Sequence, residues 1–319
     1  MNQQLFKTKY YLLFPIFLVA IACQKESTLY STENQPLALA DKTGPKSVVY
    51  VEVNNHNLLN AGSYTLSESG KQLFDIAIIF ASNINYDAIQ GKAVLYHNEN
   101  VTKVLRNKDS LVKPLQNKGI KVLLSILGNH QGVGIANFTS RATAHDFAQQ
   151  LADAVNEYGL DGIDFDDEYA KYGENGQPLA NDSSFVMLVE ELRLLMPSKI
   201  ISLYDIGPAA SQTQWQDKRV GDYINYSWQA YYGNYGAPNI AGLTDKNNLG
   251  PAAVWINQQP SSGTSAASLA QRTMDDGYGI FLYYDLPQLN SSSYLSYIST
   301  ILYGEQTEMT GMPYPWPIQ

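Results

Sequence analysis

The chain has 319 residues, 45% of them hydrophobic and only 16% charged, a balance that can bury a sizeable core and excludes both a disordered tail and a membrane bundle. Its formal net charge is −9 and no Lys/Arg run rises above background, which argues against a nucleic-acid phosphate backbone as partner.

The N-terminus carries Lys7 and Lys9, then an apolar run from Tyr10 to Ala22, then the only cysteine, Cys23. The run is shorter than the ~20 residues of a membrane-spanning helix, so residues 1–22 read as a signal peptide. "AIAC" (Ala20 to Cys23) resembles a bacterial lipobox. Cys23 would then be lipidated and become the first residue of an exported lipoprotein at the outer membrane or surface of a Gram-negative bacterium. The alternative, a chance apolar N-terminus with a buried cysteine, does not account for the small residues that close the run. One cysteine excludes an intrachain disulfide. "QKES" after Cys23 reads equally as a surface-export signal or a solvated linker. Residues 23–45 are polar without sustained periodicity and are expected to form a tether, leaving 46–319 as a single domain.

Short β-branched or aromatic runs follow at 47–53, 74–82, 121–129, 159–168, 199–207, 223–232, 251–258 and 278–286. Helical periodicity falls between several of them, at 101–119, 140–159, 181–199 and 265–277, and again after the last at 291–304. Eight strands alternating with helices over one domain are the pattern of an α/β (β/α)8 TIM barrel, whose site lies at the strands' C-terminal ends. An open doubly wound sheet is the rival. It would place a Gly-rich phosphate loop after the first strand, where "VEVNNHNLL" runs instead.

The fourth run, "DGIDFDDE" (161–168), concentrates acids where a strand should be buried. Side chains alternate along a strand, so Asp164, Asp166 and Glu168 share one face and Ile163 and Phe165 the other. In a barrel the acids would point inward and the apolar pair onto the helices. Asp161, at the lower end, reads as structural. Three carboxyls in a confined interior repel one another and lose solvation, so at least one pKa should rise, as suits a general acid. A solvated acidic loop is the bland alternative, and the alternation with Ile and Phe speaks against it. The EF-hand pattern is absent, and four histidines at 56, 97, 130 and 145 stand in no paired spacing, so no metal site is expected.

"DGIDFDDE" resembles the D-G-x-D-x-D-x-E signature of glycoside hydrolase family 18, with Asp161, Gly162, Asp164, Asp166 and Glu168 at every defined position. "KVLLSILGNHQG" is similar to the family's third-strand motif through Ser125 and Gly128, and "QAYYG" to its Q-x-Y pattern through Gln229 and Tyr231. "LGNHQGVGIANF" and "DGIDFDDEYAKYG" look closest to bacterial endo-β-N-acetylglucosaminidases of the H and F types. The resemblance implies retaining, substrate-assisted hydrolysis. Glu168 would protonate the glycosidic oxygen while the substrate's own acetamido oxygen attacks. Asp166 would hold the acetamido N–H, Asp164 would share a proton or hydrogen bond with Asp166, and Tyr231 would orient the acetamido oxygen. No cofactor is implied.

Gln229, His130, Gln131 and Tyr283 are the expected substrate contacts. His130 and Gln131 sit after strand three, where a loop-capping role competes. Tyr283 falls where many chitinases carry a tryptophan under the reacting sugar. Trp228 would face outward by parity, and the polar stretch after Glu168, "YAKYGENGQPLANDSS", is a candidate substrate lid. The expected activity is cleavage of the chitobiose core of N-glycans, of high-mannose or hybrid type, by a monomer. A chitinase is the same-class alternative, although only four tryptophans are available to line a long groove. A non-catalytic glycan-binding lipoprotein is the other, although such relatives lose acids that are all present here.

Overall fold

The computed structural model describes residues 42–317. The expected signal peptide and Cys23 therefore lie outside the described residues. The end of the expected tether, however, belongs to the domain: Lys42 Nζ reaches the Leu73 carbonyl (2.5 Å) and the Asp75 carboxylate (2.7 Å).

The parallel strands are β1 (Lys46–Glu52), β2 (Ile76–Asp87), β3 (Lys121–Gly128), β4 (Gly162–Asp166), β5 (Ile200–Asp205), β6 (Tyr226–Gln229), β7 (Leu249–Gly250), β8 (Ala253–Trp255) and β9 (Ile280–Tyr284). They pair in the order β7-β6-β5-β4-β3-β2-β1-β9-β8. The two ends of that path are two halves of one stretch: β7 pairs with β6 and β8 with β9. Pro251, which has no N–H to donate, separates them. The nine segments thus form a nearly closed (β/α)8 barrel with its seventh strand interrupted. Each of the eight expected runs overlaps one of these strands, while β7 lies just before the seventh run and β2 extends past the second to Asp87.

Alternation along the strands divides the core in two. Val48, Tyr50, Ile76, Ile78, Leu123, Tyr204, Trp228, Ala253, Ile280 and Leu282 fill the barrel, while Val49, Val51, Ile163, Phe165, Ile201, Leu203, Phe281 and Tyr283 pack outward against the helices. Phe165 meets Phe185 edge-on at 5.3 Å.

Helices α1 (Glu99–Arg106), α2 (Arg141–Tyr158) and α3 (Ser184–Leu195) fill the β2–β3, β3–β4 and β4–β5 connections, α4 (Gly207–Ser211) is a short helix after β5, α5 (Gly263–Asp275) precedes β9, and α6 (Ser292–Tyr303) follows it. Caps explain their limits: Ser140 and Ser262 accept from Thr143 N and Ser265 N, and Gly159 ends α2 at φ +66. The helix expected over 101–119 is broken, because Asn107 stops α1 and Pro114 cannot donate within the next turns. The β1–β2 and β6–β7 connections carry 3-10 turns at Leu58–Ser63 and Lys246–Asn248 in place of α-helices.

Candidate active site

The acidic motif occupies β4 and the residues just beyond its C-terminal end. Two glycines make the approach of backbones possible. A Cβ on Gly162 would lie 1.9 Å from the Ile200 carbonyl, and one on Gly128 would lie 2.4 Å from that of Glu168. Gly128 N instead donates to that same carbonyl at 3.1 Å, which fixes the chain at Glu168. Asp161, at the other end of β4, accepts from Gln116 Nε2 (2.8 Å), Val122 N (2.9 Å) and Lys121 Nζ (3.2 Å). It anchors the strand far from the mouth.

Inside the barrel Asp164 is fully buried and accepts from Tyr50 Oη (2.8 Å), Ser125 Oγ (2.9 Å) and Ser202 Oγ (2.7 Å). Burial still pushes its carboxyl up to about 7, against the three hydroxyls that favour the charge. Asp166, one step up the same face, has Oδ1 buried without a partner. Burial first, then the charges of Glu168, Asp164 and Asp167, hold its pKa well above the usual carboxylate range. Glu168 is half-buried, and desolvation raises it too. These are the environments that keep protons on carboxyls near neutral pH.

Asp166, Glu168 and Tyr231 line one cavity of about 580 Å³ at the strands' C-terminal ends, a size suited to a sugar ring. Tyr231 is 57% exposed. Sequence reasoning missed most of the other wall: Glu52, Phe80, Tyr169, Tyr204, Tyr232, Asn234, Trp255 and Tyr284. Tyr284 stacks on Tyr232 (4.9 Å between centroids, 13° between planes) and its hydroxyl donates to Glu52 (3.3 Å). Counting alternation up from Val48, Ile76 and Leu282 would have found Glu52, Phe80 and Tyr284.

The structure corrects the expectations for Tyr283 and Trp228 and gives Gln229 and Gln131 partners within their loops. Tyr283 is 0% exposed, on the outward face of β9 near Ser47; its neighbour Tyr284 is the aromatic that faces the cavity. Gln229 turns its amide to Gly236 O (2.9 Å) and to the N–H groups of Ala230 and Tyr231, so it shapes the turn that presents Tyr231. Gln131 accepts from Tyr86 N at 2.7 Å, tying its loop to β2. Trp228 points inward, opposite Tyr204 in register, and donates from Nε1 to Tyr50 Oη (2.9 Å). The parity failed because β6 ends at Gln229, and Tyr231 reaches the cavity from a turn beyond the strand.

His130 is exposed on the rim, its ring 5.4 Å from that of Tyr169. No Asp164–Asp166 hydrogen bond is seen among the described residues; the three hydroxyls occupy Asp164. The expected lid is tied along its length, by Tyr172 Oη to Asp167 and by Ala136 N to Tyr172 Oη (3.0 Å). Asn137 Nδ2 adds a bond to Pro178 O (2.9 Å). Asp167 also accepts from Ala209 N (2.7 Å), and burial raises it to about 6. Among the described residues no group of three His, Cys, Asp or Glu side chains is arranged to hold a metal, and no helix is long and apolar enough to cross a membrane.

Residues 46–268 match the sequence profile of Glycosyl hydrolases family 18. The chain is 52% identical over 271 residues to an endo-beta-N-acetylglucosaminidase of Flavobacterium sp. (strain SK1022), covering 85% of this chain and 84% of that protein. It is 35% identical over 327 residues to endo-beta-N-acetylglucosaminidase F1 of Elizabethkingia meningoseptica, covering 95% and 94%. Among solved structures, Bacteroides thetaiotamicron EndoBT-3987 in complex with Man9GlcNAc2Asn substrate superposes with a TM-score of 0.76 at 29% identity, covering 87% of this chain and 72% of that one.

Proposed function

The chain belongs to Glycosyl hydrolases family 18, and on that premise we propose how its site works. It is a glycoside hydrolase, an endo-β-N-acetylglucosaminidase that cleaves the GlcNAc-β1,4-GlcNAc core of N-glycans. The reaction is retaining and substrate-assisted. Glu168 donates its proton to the glycosidic oxygen as the acetamido oxygen of the reacting GlcNAc attacks the anomeric carbon. Tyr231 Oη orients that oxygen. Asp166, which lines the cavity, accepts the acetamido N–H. Burial, and after it the charges of Glu168, Asp164 and Asp167, raise its carboxyl at rest; the cation developing on the oxazoline ring acts the other way and favours the charged form. Asp164, filled by three hydroxyls, lies beneath it with a carboxyl that burial raises to about 7. Water then attacks the intermediate, deprotonated by Glu168, and the configuration is retained.

The observation that carries this reading is that one cavity of about 580 Å³ collects Asp166, Glu168 and Tyr231. We assign high-mannose and hybrid glycans as substrates; the relative that is seen with Man9GlcNAc2Asn supports the high-mannose part. The enzyme acts as a monomer and is exported, with Cys23 as the point of lipid attachment and the outer membrane or cell surface as its place of work; the apolar run closed by "AIAC" supports the export and the lipid attachment. Mass spectrometry of products from high-mannose, hybrid and complex glycopeptides, with chitin oligomers alongside, tests the substrate. High-mannose glycopeptides should be cut fastest, leaving one GlcNAc on the peptide. Fastest cleavage of complex glycans would overturn the glycan class, and release from chitin alone would overturn the activity.

A further inference from the structure

Tyr169 follows the general acid directly and is held at φ +59, in the left-handed region that a bulky residue rarely adopts. Its ring is nonetheless 54% exposed and lines the catalytic cavity. His130, also left-handed at φ +55, stands against it with ring centroids 5.4 Å apart and planes tilted by 57°. Three backbone bonds hold this arrangement: Gly128 N to Glu168 O (3.1 Å), His130 N to Tyr169 O (2.7 Å) and Gly132 N to Ala170 O (2.8 Å). The fold therefore sustains a strained backbone in order to display an aromatic face to solvent, where burial gives it little in return. Such a conformation persists where its surroundings over-determine it, and its cost points to use.

The side of the cavity on which Tyr169 lies says which use. Tyr169 follows Glu168 and is bonded through His130 N to the loop after β3, whereas Tyr231 follows β6, on the opposite side of β4. The sugar that reacts sits by Asp166 and Tyr231, so the sugar that departs must extend past Glu168, toward Tyr169. We propose that Tyr169, backed by His130, is the leaving-group platform: its ring packs on the apolar face of the GlcNAc that stays on the peptide and selects substrates whose leaving group is a pyranose. This specificity-determining role rests on the endo-β-N-acetylglucosaminidase reading above.

The test compares two substrates that share one glycan, a high-mannose glycopeptide, which has the GlcNAc leaving group, and the corresponding sugar oxazoline, which has none. Tyr169→Ala and Tyr169→Gly should lower kcat/KM for the glycopeptide about tenfold, mainly through KM. The loss on the oxazoline should be at least roughly fivefold smaller, and Tyr169→Phe should restore the glycopeptide value to within about twofold. Because glycine adopts φ +59 without strain, Tyr169→Gly should melt at or above the parent's temperature, whereas a merely structural tyrosine would lower stability and both activities together. Equal proportional losses on the two substrates, or full glycopeptide activity in Tyr169→Ala, would overturn the platform alone. Failure of the unsubstituted enzyme to cleave any N-glycopeptide would overturn the platform and the proposed function together.

Discussion

Asp164→Asn should make the protein more stable above neutral pH while destroying its activity. The Asp164 carboxyl is fully buried, and burial raises it from 3.8 to about 7. The unfolded chain releases this proton near pH 4 and the folded chain near 7, so the folded state binds more protons between the two and loses stability as pH rises. The rise from 3.8 to about 7 corresponds to about 4 kcal/mol, present below the unfolded pKa and gone above the folded one. The amide never ionises and escapes that loss. Its oxygen can still accept on one side, but its NH2 must face either Ser202 or the pair Tyr50 and Ser125, whose hydroxyls now donate to Asp164, at a cost of about 1–2 kcal/mol for imperfect pairing. Asp164→Asn should therefore destabilise by about 1–2 kcal/mol near pH 4 and stabilise by about 2 kcal/mol near pH 8. Removing the Asp164 charge also relieves Asp166, so the measured difference belongs to the pair. Urea midpoints of parent and variant across this range supply the comparison, and Asp167 titrates in both and cancels. Parallel pH profiles would refute the reasoning, because the buried carboxyl would not then be the group that titrates.

Glu168→Gln keeps size and hydrogen bonding but has no proton to give, so glycopeptide hydrolysis should fall by ~10²–10⁴ with binding retained, read by single-turnover kinetics. Asp166→Asn should process a sugar oxazoline better than it hydrolyses the natural glycan, whereas Glu168→Gln should process the oxazoline poorly; equal losses on both substrates for both variants would mean the acids act as one structural unit. Asp161→Ala removes the acceptor for Val122 N and Gln116 and should cost about 2–3 kcal/mol in denaturant unfolding, leaving kcat per folded molecule unchanged. Cys23→Ala should move the enzyme from the membrane fraction to the soluble fraction with activity intact, as an activity assay of both fractions will show.

Strands, barrel and acidic face are all legible in the chain before any contact is known. Each follows from local chemistry: a period of two in "DGIDFDDE", Ser140 and Gly159 at the limits of a helix, and a motif whose Asp166 and Glu168 do share a cavity. Which side chains meet that motif is settled by packing. Tyr284 rather than Tyr283 faces the cavity because register across β1, β8 and β9 fixes the inward parity. Tyr231 reaches the cavity because β6 stops two residues earlier and Gln229 folds the turn. Asp164 gathers Tyr50, Ser125 and Ser202 from three other strands, and no spacing along the chain reports that meeting. Periodicity is local and survives in sequence. Partners drawn from different strands exist only once the barrel closes, because closure sets the register that brings them within hydrogen-bond reach.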